Sequence, residues 1–171
     1  MRRKLIIQEY CVTPYYRIRL VYNGPNPQLS YKEVKKLIKE CFGVNDDDIQ
    51  EKDFQWTRGP VERFSVEWVV TKDLDKFTFW YIQISLKGEA KPSKEFGKVG
   101  SVTVVIGGFV RTEYPQDTWW QRSVFYEVFR ILWDNLFYVN KRLEYQRACK
   151  AAMFLFHDRL KEFFNLLPQR G

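Results

Sequence analysis

Apolar and polar residues alternate through three segments in the middle of the chain, and this two-residue period limits the fold more than any other feature. It predicts strands at residues 62–71, 77–87 and 101–114, and a shorter strand near residues 53–58 precedes them. Each longer strand carries one apolar row on a single face, namely Phe64, Val66, Trp68 and Val70; Trp80, Ile82, Ile84 and Leu86; and Val102, Val104, Ile106 and Val110. The pattern indicates an antiparallel meander with one buried face.

The connections within this meander differ in character. Residues 72–76 predict a tight hairpin, whereas residues 88–100, with one proline and five charged side chains, predict a flexible loop. Gly107 and Gly108 interrupt the last strand, which indicates a bulge, a bend or the close approach of another group.

A strand and a helix precede the meander. Residues 4–22 contain a strand that is best defined in its second half, and a helix then runs from Ser30 to a left-handed cap at Gly43. The apolar face of the helix carries Val34, Leu37, Ile38 and Cys41. The opposite face carries Lys32, Lys35, Lys36 and Lys39.

The period becomes helical at Asp117 and stays so to Leu167. Asn140 separates two patterns, so we predict two helices in a hairpin, with one long bent helix as the alternative. The second helix has a conventional apolar stripe formed by Tyr145, Cys149, Ala152, Phe156, Leu160 and Phe163. The first is apolar around most of its circumference, and only Ser123, Glu127, Arg130 and Asp134 form a polar strip. Such a helix must be covered on several sides, by the sheet, the last helix or a second subunit.

The order of elements predicts one two-layer α+β domain over residues 1–171. About five antiparallel strands, in the order β-α-β-β-β-β-α-α, form a sheet that is packed on one face by the C-terminal helical hairpin. This order resembles the helix-grip fold of START and plant-allergen proteins, with one N-terminal helix where two are typical and two C-terminal helices where one is typical. The resemblance covers element order alone. It implies an apolar ligand between sheet and helices, in a pocket lined by Trp68, Trp80, Ile82, Phe109, Phe125 and Trp133. The alternative is that these side chains fill a solid core.

The charge balance favours a polyanionic partner to a modest degree. The chain has 28 lysines and arginines against 21 acidic residues, for a net charge of +7. The residues expected to contact nucleic acid are Arg17, Arg19, Lys32, Lys35, Lys36 and Lys39, with bases stacking on Phe77, Phe79 and Tyr81. The alternative is that the lysines form an ordinary solvated helix face and the aromatics serve packing.

The cysteines and the N-terminus predict a cytoplasmic protein. Cys11, Cys41 and Cys149 are odd in number and lack metal-site spacing, so we expect free, buried thiols in a reducing compartment. Residues 5–7 are too short an apolar run for a signal peptide, and no run approaches the length of a membrane span.

Catalytic motifs are not recognisable in the sequence. His157 is the one histidine, no serine or cysteine stands at a known motif spacing to it, and the common hydrolase, P-loop and dinucleotide signatures do not occur. We therefore expect no cofactor and no metal, and lean against an enzyme.

The sequence favours a small non-enzymatic binding module for an apolar or aromatic ligand or for a protein partner. The alternative is a nucleic-acid-binding protein that uses the basic helix face. A second alternative is an assembly protein that forms a homo-oligomer, such as a homodimer, through Trp119, Trp120, Tyr126, Phe129 and Phe137.

Overall fold

The computed structural model describes residues 4–14, 16–115 and 123–167. The described residues form six strands: β1 (Lys4–Tyr10), β2 (Arg17–Pro25), β3 (Ile49–Thr57), β4 (Glu62–Asp73), β5 (Thr78–Ser93) and β6 (Gly97–Pro115). Their helices are α1 (Ser30–Phe42), α2 (Val124–Trp133) and α3 (Val139–Leu166), and a π-helical segment (Asp134–Tyr138) joins the last two. The predicted α+β class, with an antiparallel sheet and two C-terminal helices, is confirmed.

The sheet is assembled on β6. This strand is 19 residues long, so one of its edges holds two shorter strands in succession, β1 against residues 109–115 and β2 against residues 99–107. Its other edge pairs with β5, and β4 and β3 follow in order, all antiparallel. The sixth strand arises because residues 4–22, which predict one strand, contribute to two.

One face of the sheet is the core. The three apolar rows predicted from the alternation are buried there, and α1 and α3 cover them. The apolar side chains larger than alanine that are buried on the helices are Val34, Leu37, Ile38 and Phe42 on α1, and Cys149, Met153, Phe156, Leu160 and Phe164 on α3. The indole N–H of Trp68 donates to Glu51 at 3.0 Å, and that of Trp80 donates to the carbonyl oxygen of Tyr145 at 3.2 Å. Both tryptophans are therefore satisfied core residues.

The helices α2 and α3 follow one another without a reversing turn, so the prediction that they form a hairpin is wrong. Asp134 and Val139, where the π-helical segment meets its neighbours, both have right-handed helical dihedral angles. The segment, with its wider turn, shifts the phase of the helix, which explains why the apolar pattern changes near Asn140 although the chain does not reverse. α3 packs on the sheet, whereas α2 contributes no buried residue. The helix start predicted at Asp117 lies outside the described residues.

Residues 88–100 are paired strand, and the predicted flexible loop there is wrong. β5 and β6 remain in register as far as Ser93 and Gly97, so three residues connect them. Gly97 has a φ of 80°, which suits glycine at a tight turn. A Cβ atom at Gly100 would lie 1.9 Å from the carbonyl oxygen of Glu89, so glycine there permits the close strand approach.

Two of the three cysteines are bonded, which corrects the expectation that all are free. Cys11 and Cys149 form a disulfide with a Cα–Cα distance of 5.6 Å. They are 138 positions apart in sequence and meet because the chain leaving β1 reaches α3, so their spacing gave no signal. Cys41 is a free thiol whose pKa is raised by burial and by the neighbouring Glu40. The expected cytoplasmic location rested in part on free cysteines and loses that part of its support.

Asp75 connects the tight β4–β5 turn to the helical layer. Its Oδ1 accepts hydrogen bonds from the backbone N–H groups of Phe77 (2.8 Å) and Thr78 (3.0 Å). Its Oδ2 accepts one from the hydroxyl of Tyr138 (2.6 Å). Burial raises the pKa of Asp75, but these hydrogen bonds outweigh it, so the pKa is lower than usual. The residue therefore fixes the end of the π-helical segment on the sheet.

We predict that Asp75→Asn lowers the free energy of unfolding at neutral pH by roughly 1.5–3 kcal/mol, the range for a hydrogen bond to a charged group. The pKa of Asp75 is lower in the folded state than in the unfolded state, so the ionised carboxylate stabilises the fold fully at pH values above the unfolded-state pKa. This stabilisation disappears as the pH falls through the folded-state pKa. The difference between wild type and variant should therefore narrow as the pH falls below the unfolded-state pKa of aspartate, about 3.9, toward the lower folded-state pKa. Urea unfolding across this range measures it, with the exposed neighbour Asp73→Asn as control. A difference that is independent of pH would contradict the assignment.

Candidate functional site

The helix α2 is attached to the domain by its polar side. Glu127 Oε2 and Arg130 Nη2 are 2.5 Å apart, and the Arg130 guanidinium lies 5.9 Å from the ring centroid of Tyr114 on β6. One turn later, Asp134 Oδ1 accepts a hydrogen bond from the Tyr114 hydroxyl at 3.2 Å, and Asp134 Oδ2 forms a 3.0 Å ion pair with Arg142 of α3. The polar strip that a surface helix normally shows to solvent is here turned toward the domain.

The Asp134–Arg142 ion pair is shielded from water. The two side chains are 17% and 9% exposed. Burial, followed by the Asp134 carboxylate, raises the pKa of Tyr114 to about 12, so its hydroxyl remains a donor at neutral pH. Rotating α2 about its axis would leave these charges without partners, which is costly in a partly buried site. The orientation of α2 is therefore fixed by its polar side.

The solvent side of α2 is apolar and follows a four-residue repeat that continues into the π-helical segment. Two adjacent rows form it, an aliphatic row of Val124, Val128, Leu132 and Leu136 and an aromatic row of Phe125, Phe129, Trp133 and Phe137. Both rows run in the i, i+4 direction, along which side chains form ridges on a helix. Their exposed fractions range from 51% at Val128 to 77% at Phe125 and Phe129. These two rows are named the exposed face of α2.

This apolar surface is large for a protein of this size. An aromatic side chain presents roughly 150–250 Å², so the exposed face of α2 amounts to on the order of 1,000 Å². The largest apolar patch on a typical monomer is about 300–600 Å². Each partner in a standard interface loses about 800 Å². No helix within the described ranges is long and apolar enough to cross a membrane.

A second uncovered surface is the outer face of the sheet, the side away from α1 and α3. Two ring pairs meet there: Tyr81 stacks on Phe109 with centroids 4.9 Å apart, and the centroids of Tyr10 and Tyr16 are 4.3 Å apart. Tyr10 joins the pairs through an edge contact with Phe109 at 6.4 Å. These four rings are named the outer aromatic cluster.

A groove of about 520 Å³, named the outer groove, runs beside the outer aromatic cluster. Gln8, Arg17 and Gln83 supply its polar side chains, and Gly107 forms part of its wall. A Cβ atom at Gly107 would lie 3.1 Å from Arg17 Cγ and 3.3 Å from the carbonyl oxygen of Tyr16. The missing side chain therefore lets residues 16 and 17 lie directly against β6.

A second groove of about 580 Å³ continues across β5 and β4 and shares Arg17, Gln83 and Gly107 with the first. It is mainly polar, and its further lining includes Asp53, Gln55, Ser65, Glu67, Ser85 and Lys87. Asp53 has a φ of 50° at the irregularity in β3, a conformation that few residues other than glycine, asparagine and aspartate adopt readily. Arg17 is thus the cation at which an aromatic groove and a polar groove meet.

The six residues predicted to line an apolar pocket are not brought together, which corrects that prediction. Trp68, Trp80 and Ile82 are buried in the core, Phe109 lies on the outer face, and Phe125 and Trp133 lie on the exposed face of α2. The helix-grip resemblance implied a pocket between the sheet and the C-terminal helices, to which the apolar side of the aromatic helix would contribute Phe125 and Trp133. The pairing of its polar side with Tyr114 and Arg142 places that apolar side in solvent instead.

The residues predicted to contact nucleic acid are divided between two sides of the domain. Arg17 and Arg19 lie on β2, where Arg17 faces the outer groove, whereas Lys32, Lys35, Lys36 and Lys39 lie on α1, which covers the opposite face. Lys36 is 3.7 Å from Glu33 and 3.9 Å from Glu40, and Lys39 is 2.6 Å from Asp46. Acidic neighbours therefore neutralise part of the positive charge on this helix face.

The residues predicted to form a subunit interface are described only in part. Phe129 and Phe137 belong to the exposed face of α2, and Tyr126 is half-buried beside them. Trp119 and Trp120 lie outside the described residues.

His157 lies on α3 with Nδ1 at 3.0 Å from Oδ1 of its neighbour Asp158. Across residues 4–14, 16–115 and 123–167, no cluster of three histidine, cysteine or acidic side chains could hold a metal ion.

Sequence reasoning missed most of the outer groove. Gly107 and Gly108 indicated a close approach, and this is what β2 makes at Gly107 and what Ile82 and Met153 make at Gly108. The pairing of Tyr10 with Phe109 depends on the register of β1 against β6, which no local signal gives.

Comparisons with known proteins do not indicate a function for this chain. No family model matches the chain, and no curated protein matches it. A similar solved structure is the protein of unknown function SA2116 from Staphylococcus aureus, which is 14% identical over 96% of this chain and 95% of that chain, with a TM-score of 0.28. At that TM-score the similarity carries no argument about fold or activity.

We predict that Arg142→Met destabilises the fold by about 3 kcal/mol, because Asp134 keeps a shielded charge without its partner. Urea unfolding measures the change. Arg147→Met on the same helix removes an exposed arginine and should cost less than about 0.5 kcal/mol. Equal effects of the two substitutions would contradict the role assigned to the Asp134–Arg142 ion pair.

Proposed function

We propose that this chain is a small non-enzymatic binding module that docks a protein partner on the exposed face of α2, and that the partner is a second copy of the same chain. One observation carries the proposal: the polar side of α2 is bound to the domain, and its aliphatic and aromatic rows face solvent. Leaving such a surface in water opposes the largest favourable term in protein association.

The amount of apolar surface supports a stable interface. The exposed face of α2 exceeds the usual patch on a monomer and matches what one partner contributes to a standard interface. Phenylalanine and tryptophan in its aromatic row are typical of interface anchors.

The arrangement of the two rows supports a second copy as the occupant. Aligned i, i+4 ridges on two helices interdigitate in the commonest class of helix packing, which crosses at about −50°. The aromatic row is the larger ridge and the aliphatic row the smaller, so the larger ridge of each copy can pack beside the smaller ridge of the other. A two-fold axis places both pairs of ridges against each other in this way, because each copy presents the same patch.

The flanks of α2 argue against a lipid surface as the occupant. Helices that lie in a membrane interface carry lysine and arginine beside the apolar side, where the cations reach lipid headgroups. The one cation of α2 is Arg130, whose side chain is 12% exposed and paired with Glu127. A protein surface of matching shape suits these flanks better.

We predict that wild-type protein is a dimer at micromolar concentration and that Phe129→Glu shifts it to monomer. A buried glutamate would replace an aromatic anchor, and hot-spot substitutions cost roughly 2–4 kcal/mol, about 30- to 1,000-fold in the dissociation constant. Size-exclusion chromatography with light scattering over a concentration series measures the change. The control is Phe154→Glu, which introduces the same charge at a phenylalanine that is 41% exposed on α3.

Two results would contradict this proposal. One is a wild-type protein that stays monomeric at high micromolar concentration. The other is a dimer that Phe154→Glu weakens as much as Phe129→Glu does, with circular dichroism showing that both variants are folded.

A further inference from the structure

We infer that the groove beside the outer aromatic cluster binds a small planar aromatic carboxylate, with its ring on the cluster and its carboxylate on Arg17. The groove lies on the outer face of the sheet and shares no residue with the exposed face of α2. The inference therefore stands whether or not the chain dimerises.

The ring half of this site is open and already shaped by aromatic contacts. Tyr10 and Tyr16 are 40% and 56% exposed, and Tyr81 lies parallel to Phe109 at an interplanar angle of 15°. Aromatic rings favour offset or edge contacts with a further ring, and these four rings line the open groove. The groove volume of about 520 Å³ lies within the range of small-molecule sites.

Arg17 provides the cation that binds the carboxylate of the ligand. No carboxylate among the described residues lies within ion-pairing distance, 4.0 Å, of its guanidinium. A guanidinium group presents a planar fork that matches a carboxylate through two parallel hydrogen bonds. The amide side chains of Gln8 and Gln83 line the same groove and can donate further hydrogen bonds to a ligand there.

The adjoining groove limits the charge of the ligand. Asp53 and Glu67 line it, with Lys87 as a further cation beside Arg17. Two carboxylates in the adjoining groove repel a doubly charged phosphate and a polyanionic backbone, whereas one ligand carboxylate needs only the guanidinium. A small singly charged acid therefore suits the site better than a nucleotide or a single-stranded nucleic acid.

Calorimetric titration of the full chain with 2-naphthoate tests the inference. We expect saturable binding of 2-naphthoate. The affinity for 2-naphthamide, which has the same ring without the charge, should be lower by about tenfold or more. Arg17→Gln should weaken 2-naphthoate binding by about tenfold or more. Arg19→Gln is the matched control, because it removes the same charge two residues away on β2 at a position that lines neither groove, and it should change binding less than about twofold.

Parallel titrations with adenosine monophosphate and a single-stranded oligonucleotide complete the test. Binding of either ligand that depends on Arg17, without binding of 2-naphthoate, would overturn the assignment of ligand class. Equal binding of 2-naphthoate and 2-naphthamide, or equal losses in Arg17→Gln and Arg19→Gln, would overturn the assignment of Arg17. Absence of saturable 2-naphthoate binding would overturn the site.

Discussion

The ion pair between Asp134 and Arg142 is the interaction on which the rest of this account depends. It joins the start of the π-helical segment to α3, and Tyr114 of β6 donates a hydrogen bond to the same carboxylate. One turn later, Tyr138 donates to Asp75 at the β4–β5 turn. Burial and the Asp75 hydrogen bond raise the pKa of Tyr138, so its hydroxyl stays protonated and serves as a donor. Two polar contacts, about one helical turn apart, thus set the rotation of α2 about its axis.

That rotation reverses the usual relation of an amphipathic helix to its domain. α3 follows the ordinary rule, because its apolar stripe covers the core face of the sheet. α2 instead satisfies its polar side against the domain and leaves its two apolar rows in water. The domain already has a filled core, in which Trp68 and Trp80 have hydrogen-bond partners, so it offers no interior place for those rows. In the proposed dimer, the same surface of a second copy covers them.

The sequence predicts the parts of this structure that depend on local period, and it does not predict those that depend on pairing. Alternation located the buried rows of β4, β5 and β6, and the helical period located the stripe of α3. The Cys11–Cys149 bond and the split of residues 4–22 between two strands depend on contacts between residues 80 or more positions apart. The apolar excess of α2 was visible as composition, but its outward direction depends on Asp134 meeting Arg142, and periodicity carries no information about which side of a helix a charge partner will take. The outer groove was missed for the same reason, since Tyr10 and Phe109 meet only through strand register.

The most direct test of the central claim is an isotope-filtered nuclear Overhauser experiment on an equal mixture of two preparations. One preparation carries labelled valine and leucine methyl groups and the other carries labelled phenylalanine rings. The account predicts contacts between copies that join the aliphatic row, from Val124 to Leu136, to the aromatic row, from Phe125 to Phe137. A folded protein whose α2 methyl groups show contacts only within their own chain would contradict it.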